Sequence, residues 1–592
     1  MGHPDEINAL EAQPDYNVAS GDFKETEQDE PVSLHRDLKA RHISMIAIGG
    51  AIGTGLIVGT GSALTLSQMF ALANVRSQPG SLLIAYCFMG LVVWTVMCGL
   101  GEMAAWLPLS SGFTGYAGRF CDPALGFTLG WCYYLKYIIL PPTQLTAAAL
   151  VITYWPKTSA ENVNPGVWIA IFMVAIIVIN YFGVKIFGEL EFWLSSFKVI
   201  VILGIILCSF IFALGGGPDH DRRGFRYWNE PGAFATKYVD GSLGKFLAFW
   251  STMVQATFAF LGTELIGVTV GEAQNPRKTI PKAIKLTFWR ILVFYILSVL
   301  FVGMLVPYDS EDLAFATEAK SSAAASPFVV AMKQVAALPH IINACILVFV
   351  LSAANSDLYI ATRTLYGLAR EKKAPKIFAR TNHAGVPIYS LVLSASFCLL
   401  AFMSVSNGSK EVFGYFTDMV SIFGCMFFPW LPRVYCCLRS GTNRLSVLTW
   451  ISLLITHIFF IRARRAQGVD ESTLAYKAPL GIIGSYIALF FCVLVAFTRS
   501  FGVFIHDPET YGNFDYKTFI TSYLGIPLYV MAFTGWKFWK RTELIKPHNA
   551  DIWTGKSEID REEAEYEAIL AIENQNLSGW KKIYRKGLAW LF

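Results

Sequence analysis

The stretch Gly49-Gly50-Ala51-Ile52-Gly53-Thr54-Gly55 lies inside the first long apolar segment and carries four glycines in seven residues. Its flanks, Ile43–Ile48 and Leu56–Val58, read as membrane-spanning helix. Glycine weakens a helix by roughly 1 kcal/mol per position relative to alanine. Unwound backbone at membrane depth is tolerated only where it lines a cavity or is buried in protein. The pattern therefore points to a broken helix whose exposed N–H and C=O groups hold a solute at the bilayer midplane. Close helix packing through small residues accounts for these glycines equally well at this stage.

Composition decides the class. The chain has 592 residues, 54% of them hydrophobic and 15% charged, which makes it an integral membrane protein. The net charge of +5 is modest, and its distribution matters more than its size. The eleven cysteines form no CxxC pair and lie mostly in apolar stretches, as small core residues do. The first 41 residues are polar without an apolar h-region, so no cleavable signal peptide is expected and the first span is its own targeting signal.

Charge-poor stretches recur near Ile43–Leu64, Pro79–Gly101, Ala124–Tyr154, Pro165–Val184, Phe192–Leu214 and Phe246–Val270. A second set follows near Ile291–Pro307, Pro339–Ser356, Val386–Val405, a disturbed region Val412–Ile461, Pro479–Thr498 and Phe519–Trp536. The expected fold is an all-α polytopic membrane protein of about twelve helices, each about 20 residues long. Its parts are a tail over 1–42, a membrane domain over 43–538 and a tail over 539–592. Basic residues cluster before span 1 (Arg36, Lys39, Arg41), between spans 6 and 7 (Arg277 to Arg290) and between spans 8 and 9 (Arg370 to Arg380). Arg462, Arg464 and Arg465 follow the tenth region. All fall on one side if both termini are cytosolic, as positive-inside bias requires. The N-terminal tail is acidic and expected to be disordered, whereas Asp560–Glu573 has the composition of a short helix.

Span 6 contains a second glycine break, Phe258-Ala259-Phe260-Leu261-Gly262-Thr263-Glu264-Leu265-Ile266-Gly267, with an acidic residue at membrane depth. Breaks in the first helix of two halves, spans 1–5 and 6–10, are the sequence pointer to an inverted-repeat secondary transporter. A bound carboxylate would find donors in the N–H groups at Gly53, Thr54 and Gly55, with a favourable helix dipole. Carbonyls near Ala51, Phe258 and Leu261 are matching acceptors for a bound cation. Phe258 and Phe260 are candidate lids, or ordinary aromatic core. Ile52 completes the unwound segment.

Three charged residues inside spans each cost about 2.5–3.5 kcal/mol at a helix centre, so each is a candidate functional group. Glu264 sits beside the span 6 break, as proton acceptor, as support for the unwound segment, or as a plain structural hydrogen-bond partner. Lys198 is a candidate for proton exchange, with snorkelling to the interface as the alternative. Lys136 in span 3 is a candidate partner for a substrate side-chain carboxylate, the alternative being a structural pair with Glu264 or Glu102. Glu102 reads as a gate or a helix-end charge, Asp357 with Arg363 as a structural pair or gate, and His220 as a solvated histidine. No P-loop or catalytic cluster is present, which disfavours an ATPase or a polytopic enzyme, and nothing calls for a metal or cofactor. The basic loops face the cytoplasmic leaflet and need no nucleic acid.

These stretches carry a resemblance. LHRDLKARHISMIAIGGAIGTGL (34–56), FGELEFWLSSFKV (187–199), FLGTELIGVTVGEAQNPRKTIPKAIK (260–285), SAANSDLYIATRTLYGLA (352–369) and YKAPLG (476–481) are similar to fungal amino-acid permeases of the amino acid–polyamine–organocation superfamily. LPPTQLTAAALVITYW (140–155), GGGPDHDRRGFRYW (215–228) and INACILVFVLSAANSDLY (342–359) resemble the dicarboxylic branch. The resemblance implies a LeuT-type inverted repeat with helices 1 and 6 broken, plasma-membrane location and proton-coupled uptake. It implies that Lys198 matches a span 5 lysine standing where sodium-coupled relatives have a cation site. It also implies that Lys136 stands where permeases for neutral amino acids often carry asparagine. The expected partners are amino-acid substrate, protons and lipid, with ubiquitin-dependent trafficking machinery on the tails. The expected function is proton symport of L-glutamate and L-aspartate; a broad-specificity permease and a non-transporting sensor are the alternatives. Two blocks, 65–78 and 425–447, depart from the family pattern and resemble translated intron.

Overall fold

Apolar runs become helices throughout the computed structural model, which describes residues 41, 42, 45, 79–109, 111–152, 155, 164–234, 236, 239–260, 262–270, 273, 275–306, 331, 332, 335, 338–382, 384–405, 442–498, 501–504, 519, 523 and 525–575. The first glycine-rich segment, including Ala51, Ile52, Gly53, Thr54 and Gly55, lies outside the described residues, as do Leu261, the block 65–78 and residues 425–441 of the block 425–447. The helices are α1 (Pro79–Trp106), α2 (Phe113–Phe120), α3 (Pro123–Ile152), α4 (Pro165–Tyr181), α5 (Val184–Ala213), α6 (Gly241–Ala259) and the short α7 (Ile266–Thr269). Then α8 (Pro276–Arg290) runs through a wide turn into α9 (Leu297–Leu305), followed by α10 (Leu338–Arg370) and α11 (Ile388–Ser396). The last four are α12 (Thr442–Ala466), α13 (Gly481–Thr498), α14 (Gly525–Lys540) and α15 (Lys556–Gln575). Six helices among the described residues are long and apolar enough to cross a membrane.

Local signals set several starts. Asn164 caps α4 by accepting from Gly166 N at 2.8 Å, with Pro165 at the first helical position. Asn275 caps α8 in the same manner, ahead of Pro276. Two boundaries differ from the hydropathy reading. Helix α5 starts at Val184 instead of Phe192, and α10 runs to Arg370 instead of ending at Ser356. The charges that made these stretches look like ends are partnered inside the protein: Glu191 with Lys198, Asp357 with Gln144, and Arg363 with Gly385 O and the Tyr359 ring.

Helix α5 displays the membrane solvent directly. Trp193, Ile200 and Leu207, spaced by seven, are 69%, 68% and 59% exposed. Glu191, Ser195, Lys198, Ile202 and Ser209 on the other face are buried. A helix with its apolar face outward and its polar face inward suits hydrocarbon surroundings, where a charge must find protein. At the centre α3 and α10 lie side by side, with α4 and α11 packed on them, while α1 gathers α6, α8, α12 and α13. Gly130 makes the α3–α10 approach possible, because an added Cβ would sit 2.4 Å from Leu368 Cδ2.

After α14 the chain folds back over one end of the bundle. Ile545 N donates to Cys121 O at 2.9 Å, Trp106 Nε1 to Ile552 O at 2.9 Å and Gln467 Nε2 to Ala550 O at 2.7 Å. The expected acidic helix forms as α15, and its Asp560 and Glu563 pair with Arg277 at the start of α8. Burial works against ionisation of Asp560, but hydrogen bonds from Lys556 and Arg277 outweigh it and hold the carboxyl below its ordinary range.

Candidate functional site

The span 6 break is real and has a specific geometry. Helix α6 stops at Ala259, Gly262 adopts φ +85°, and a tight turn Thr263–Leu265 leads into α7. Only glycine reaches this left-handed conformation without a Cβ penalty. Carbonyls freed by the break are partly claimed by the protein itself. Ala259 O accepts the Tyr295 hydroxyl at 3.0 Å, and Phe260 O accepts the Thr263 hydroxyl at 3.0 Å.

Glu264 enters the protein interior from this turn and is fully buried. Its Oε1 receives Lys136 Nζ at 2.9 Å, and its Oε2 receives Trp450 Nε1 at 3.4 Å. Lys136 is 1% exposed and lies over the rings of Tyr137 (4.8 Å) and Tyr133 (5.5 Å). Carboxylate and aromatic faces together compensate an ammonium that has left water. Of the two partners weighed for Lys136, the structure selects Glu264. Glu102 stands elsewhere, accepting Ala478 N at 2.8 Å beside His457 (3.4 Å) and Arg464 (3.6 Å). It ties the end of α1 to α12 and to the YKAPLG stretch, as a buried helix-end charge.

Lys198 does not snorkel. It is 0% exposed, and its Nζ lies 3.6 Å from Glu191 Oε1. Glu191 also accepts the Ser352 hydroxyl at 2.9 Å and the Ser195 hydroxyl at 3.2 Å. Asp357 accepts Gln144 Nε2 at 3.4 Å and has no ion pair with Arg363. The FGELEFWLSSFKV stretch thus divides its carboxylates: Glu191 faces inward, while Glu189 pairs with Arg41 and with His42 at 3.1 Å.

Phe260, weighed as lid or aromatic core, is fully buried, stacks on Tyr295 at 4.9 Å and has Tyr86 at 5.8 Å, the surroundings of aromatic core. The side chain of Phe258 lies outside the described residues. His220 is exposed, as expected. Sequence reasoning missed Glu191, Gln144 and Trp450. For Glu191 a signal existed: it precedes Lys198 by seven residues, which puts both on one helix face two turns apart. For Trp450, brought to Glu264 from 186 residues away, there was none. Among the described residues no cluster of ligands suits a metal ion.

Comparison with known proteins comes to bear on this geometry. The amino acid permease family matches residues 42–549. The dicarboxylic amino acid permease of Saccharomyces cerevisiae is 52% identical over 91% of this chain and 83% of its own length. An uncharacterized amino-acid permease of Schizosaccharomyces pombe is 40% identical over 93% of this chain and 97% of its own. The proline-specific permease of Emericella nidulans is 37% identical over 93% and 94%. Among solved structures, a manganese transporter of Eremococcus coleocola covers 84% of this chain and 94% of its own at TM-score 0.49 and 12% identity.

Proposed function

The chain belongs to the amino acid permease family, and from that premise we propose that it imports L-glutamate and L-aspartate by proton symport across the plasma membrane, with both termini cytosolic. The observation that carries the acidic specificity is the buried Lys136 ammonium beside the span 6 break. An ammonium has three donors and Glu264 uses one of them, so a substrate side-chain carboxylate has a place at the same nitrogen. In this reading the backbone of Ala51–Gly55 and of Phe258–Leu261, at the end of α6, holds the backbone groups of the amino acid. Lys198, paired with Glu191 on α5, takes part in proton coupling. The blocks 65–78 and 425–447 are absent from the working protein. The second would put Pro429, Pro432, Arg433, Arg439 and Arg444 into one span, each arginine costing about 2.5–3.5 kcal/mol at its centre.

Uptake of labelled glutamate by cells expressing the chain, competed by a panel of amino acids, tests the function. Lys136→Asn is expected to depress glutamate and aspartate uptake far more than that of neutral amino acids. Equal loss for every substrate rejects the specificity role. Sequencing the dominant transcript of a transporting strain tests the two blocks, whose presence there sinks their exclusion.

A further inference from the structure

Five charged groups meet between α3, α5, α7 and α10, and four of them are matched in pairs. Lys136 holds Glu264 at 2.9 Å, and Lys198 stands 3.6 Å from Glu191, with each side chain at 1% exposure or less. The fifth is Asp357 on α10, whose hydrogen-bond partner is the neutral amide of Gln144 at 3.4 Å. Lys136 from α3 and Lys198 and Glu191 from α5 all lie within its electrostatic reach. Tyr133 and Tyr137 of α3 face both Asp357 and Glu264. Arg290 on α8 faces Glu264 and Tyr295 instead.

Exposure separates Asp357 from its neighbours. From Ser352 to Ala369 every residue of α10 is buried except Asp357, which is half-buried. A carboxylate with no cation of its own at membrane depth is costly while ionised and is relieved by a proton. An acidic substrate sharpens the imbalance. An arriving side-chain carboxylate shares the Lys136 ammonium with Glu264, so four carboxylates then stand against the two ammoniums of Lys136 and Lys198.

We propose that Asp357 carries the coupled proton: it is protonated from the side of higher proton activity when an acidic substrate binds, and it releases that proton on the other side. The proton moves from solvent to a carboxylate oxygen of Asp357 and back to solvent, so one proton crosses per substrate and no bond of the substrate changes. The inference rests on the symport reading and assigns its proton to a residue. Linkage makes the assignment reciprocal, since protonation of Asp357 tightens substrate binding by the factor by which substrate favours protonation.

The test uses the full chain in proteoliposomes, with labelled glutamate and an imposed gradient of about one pH unit, about tenfold in proton activity. Wild type is expected to accumulate glutamate by up to about tenfold at one proton per substrate. Asp357→Asn is expected to reach only equal concentrations on the two sides, with exchange of labelled for unlabelled glutamate reduced far less than accumulation. Glutamate binding to Asp357→Asn is expected to lose its pH dependence. Accumulation by Asp357→Asn that follows the gradient as in wild type overturns the assignment. If the asparagine variant loses exchange as well, Asp357→Glu decides: restored accumulation supports the proton role, and failure to restore it overturns that role. Wild-type accumulation that ignores the proton gradient overturns the symport reading itself, a result distinct from failure of the variant.

Discussion

Two acid–base pairs of this chain invite comparison. In the loop after α5, Arg226 grips Asp221 through two hydrogen bonds of 2.6 and 2.9 Å, with side chains 51% and 37% exposed. In the bundle, Lys136 meets Glu264 through one contact of 2.9 Å, with side chains 1% and 0% exposed. The outer pair has the better geometry, yet water solvates either partner when the other is lost. The inner pair has poorer geometry, but neither partner can be left alone without stranding a charge in a low dielectric. Surroundings, not hydrogen-bond count, set how much a pair matters here.

Breaking the inner pair is expected to produce the largest effect. Lys136→Ala strands Glu264, a loss of about 3–5 kcal/mol for removal of one buried partner. Detergent-extracted protein should unfold at markedly lower temperature, and Lys136→Ala combined with Glu264→Gln should recover part of the loss. A double variant no more stable than the single one would show that the pair is not what matters. Next comes the Glu191 cluster, where Ser352→Ala removes a donor to a charged acceptor. The expected cost is about 1.5–3 kcal/mol, read from thermal unfolding. Gly262→Ala follows at about 1–2 kcal/mol, because alanine must adopt the left-handed conformation that Gly262 takes at φ +85°. A stability equal to wild type would mean that the break relaxes readily.

The smallest effect belongs to the loop. Arg226→Ala should leave uptake and the unfolding temperature unchanged within error, and a clear loss of either would contradict the comparison. Hydrogen bonds from Arg226, with the charge of Arg223 nearby, hold the Asp221 carboxyl below its ordinary range against the opposing effect of burial. A depressed carboxyl contributes stability above its unfolded-state value and loses it as pH falls through the folded one. The loop pair should therefore persist at neutral and mildly acidic pH and dissolve only in stronger acid. Carboxyl resonances of Asp221 followed by NMR would report this, and titration at the ordinary aspartate value would refute it.

The same contrast explains what was legible before any coordinates. Lys136, Lys198 and Glu264 stand out because each interrupts an apolar run, and their isolation marks them as buried. The break at Gly262 is equally visible, since glycine beside a charge at membrane depth has few structural uses. Helix ends were less legible. Charges within α5 and α10 looked like boundaries because hydropathy counts a charge without its partner, and Glu191, Asp357 and Arg363 all have partners inside the bundle. For Phe260 the sequence leaves lid and aromatic core open, because an aromatic beside a break is equally suited to face a solute or to stack as Phe260 does on Tyr295.

The sequence by itself determined the membrane class, the run of helices, the break in span 6 and the identity of the charges placed in hydrocarbon. Each of these follows from composition or from a pattern a few residues long. Only the tertiary structure decided which charge meets which: Lys136 with Glu264 across 128 residues, Trp450 with the same carboxylate, and Asp357 with an amide instead of a cation. Partner choice depends on how α3, α10 and α12 pack, and packing is set by the whole core at once. A charge in an apolar run announces that it needs compensation, but the compensating atom lies on another helix whose position no local pattern records.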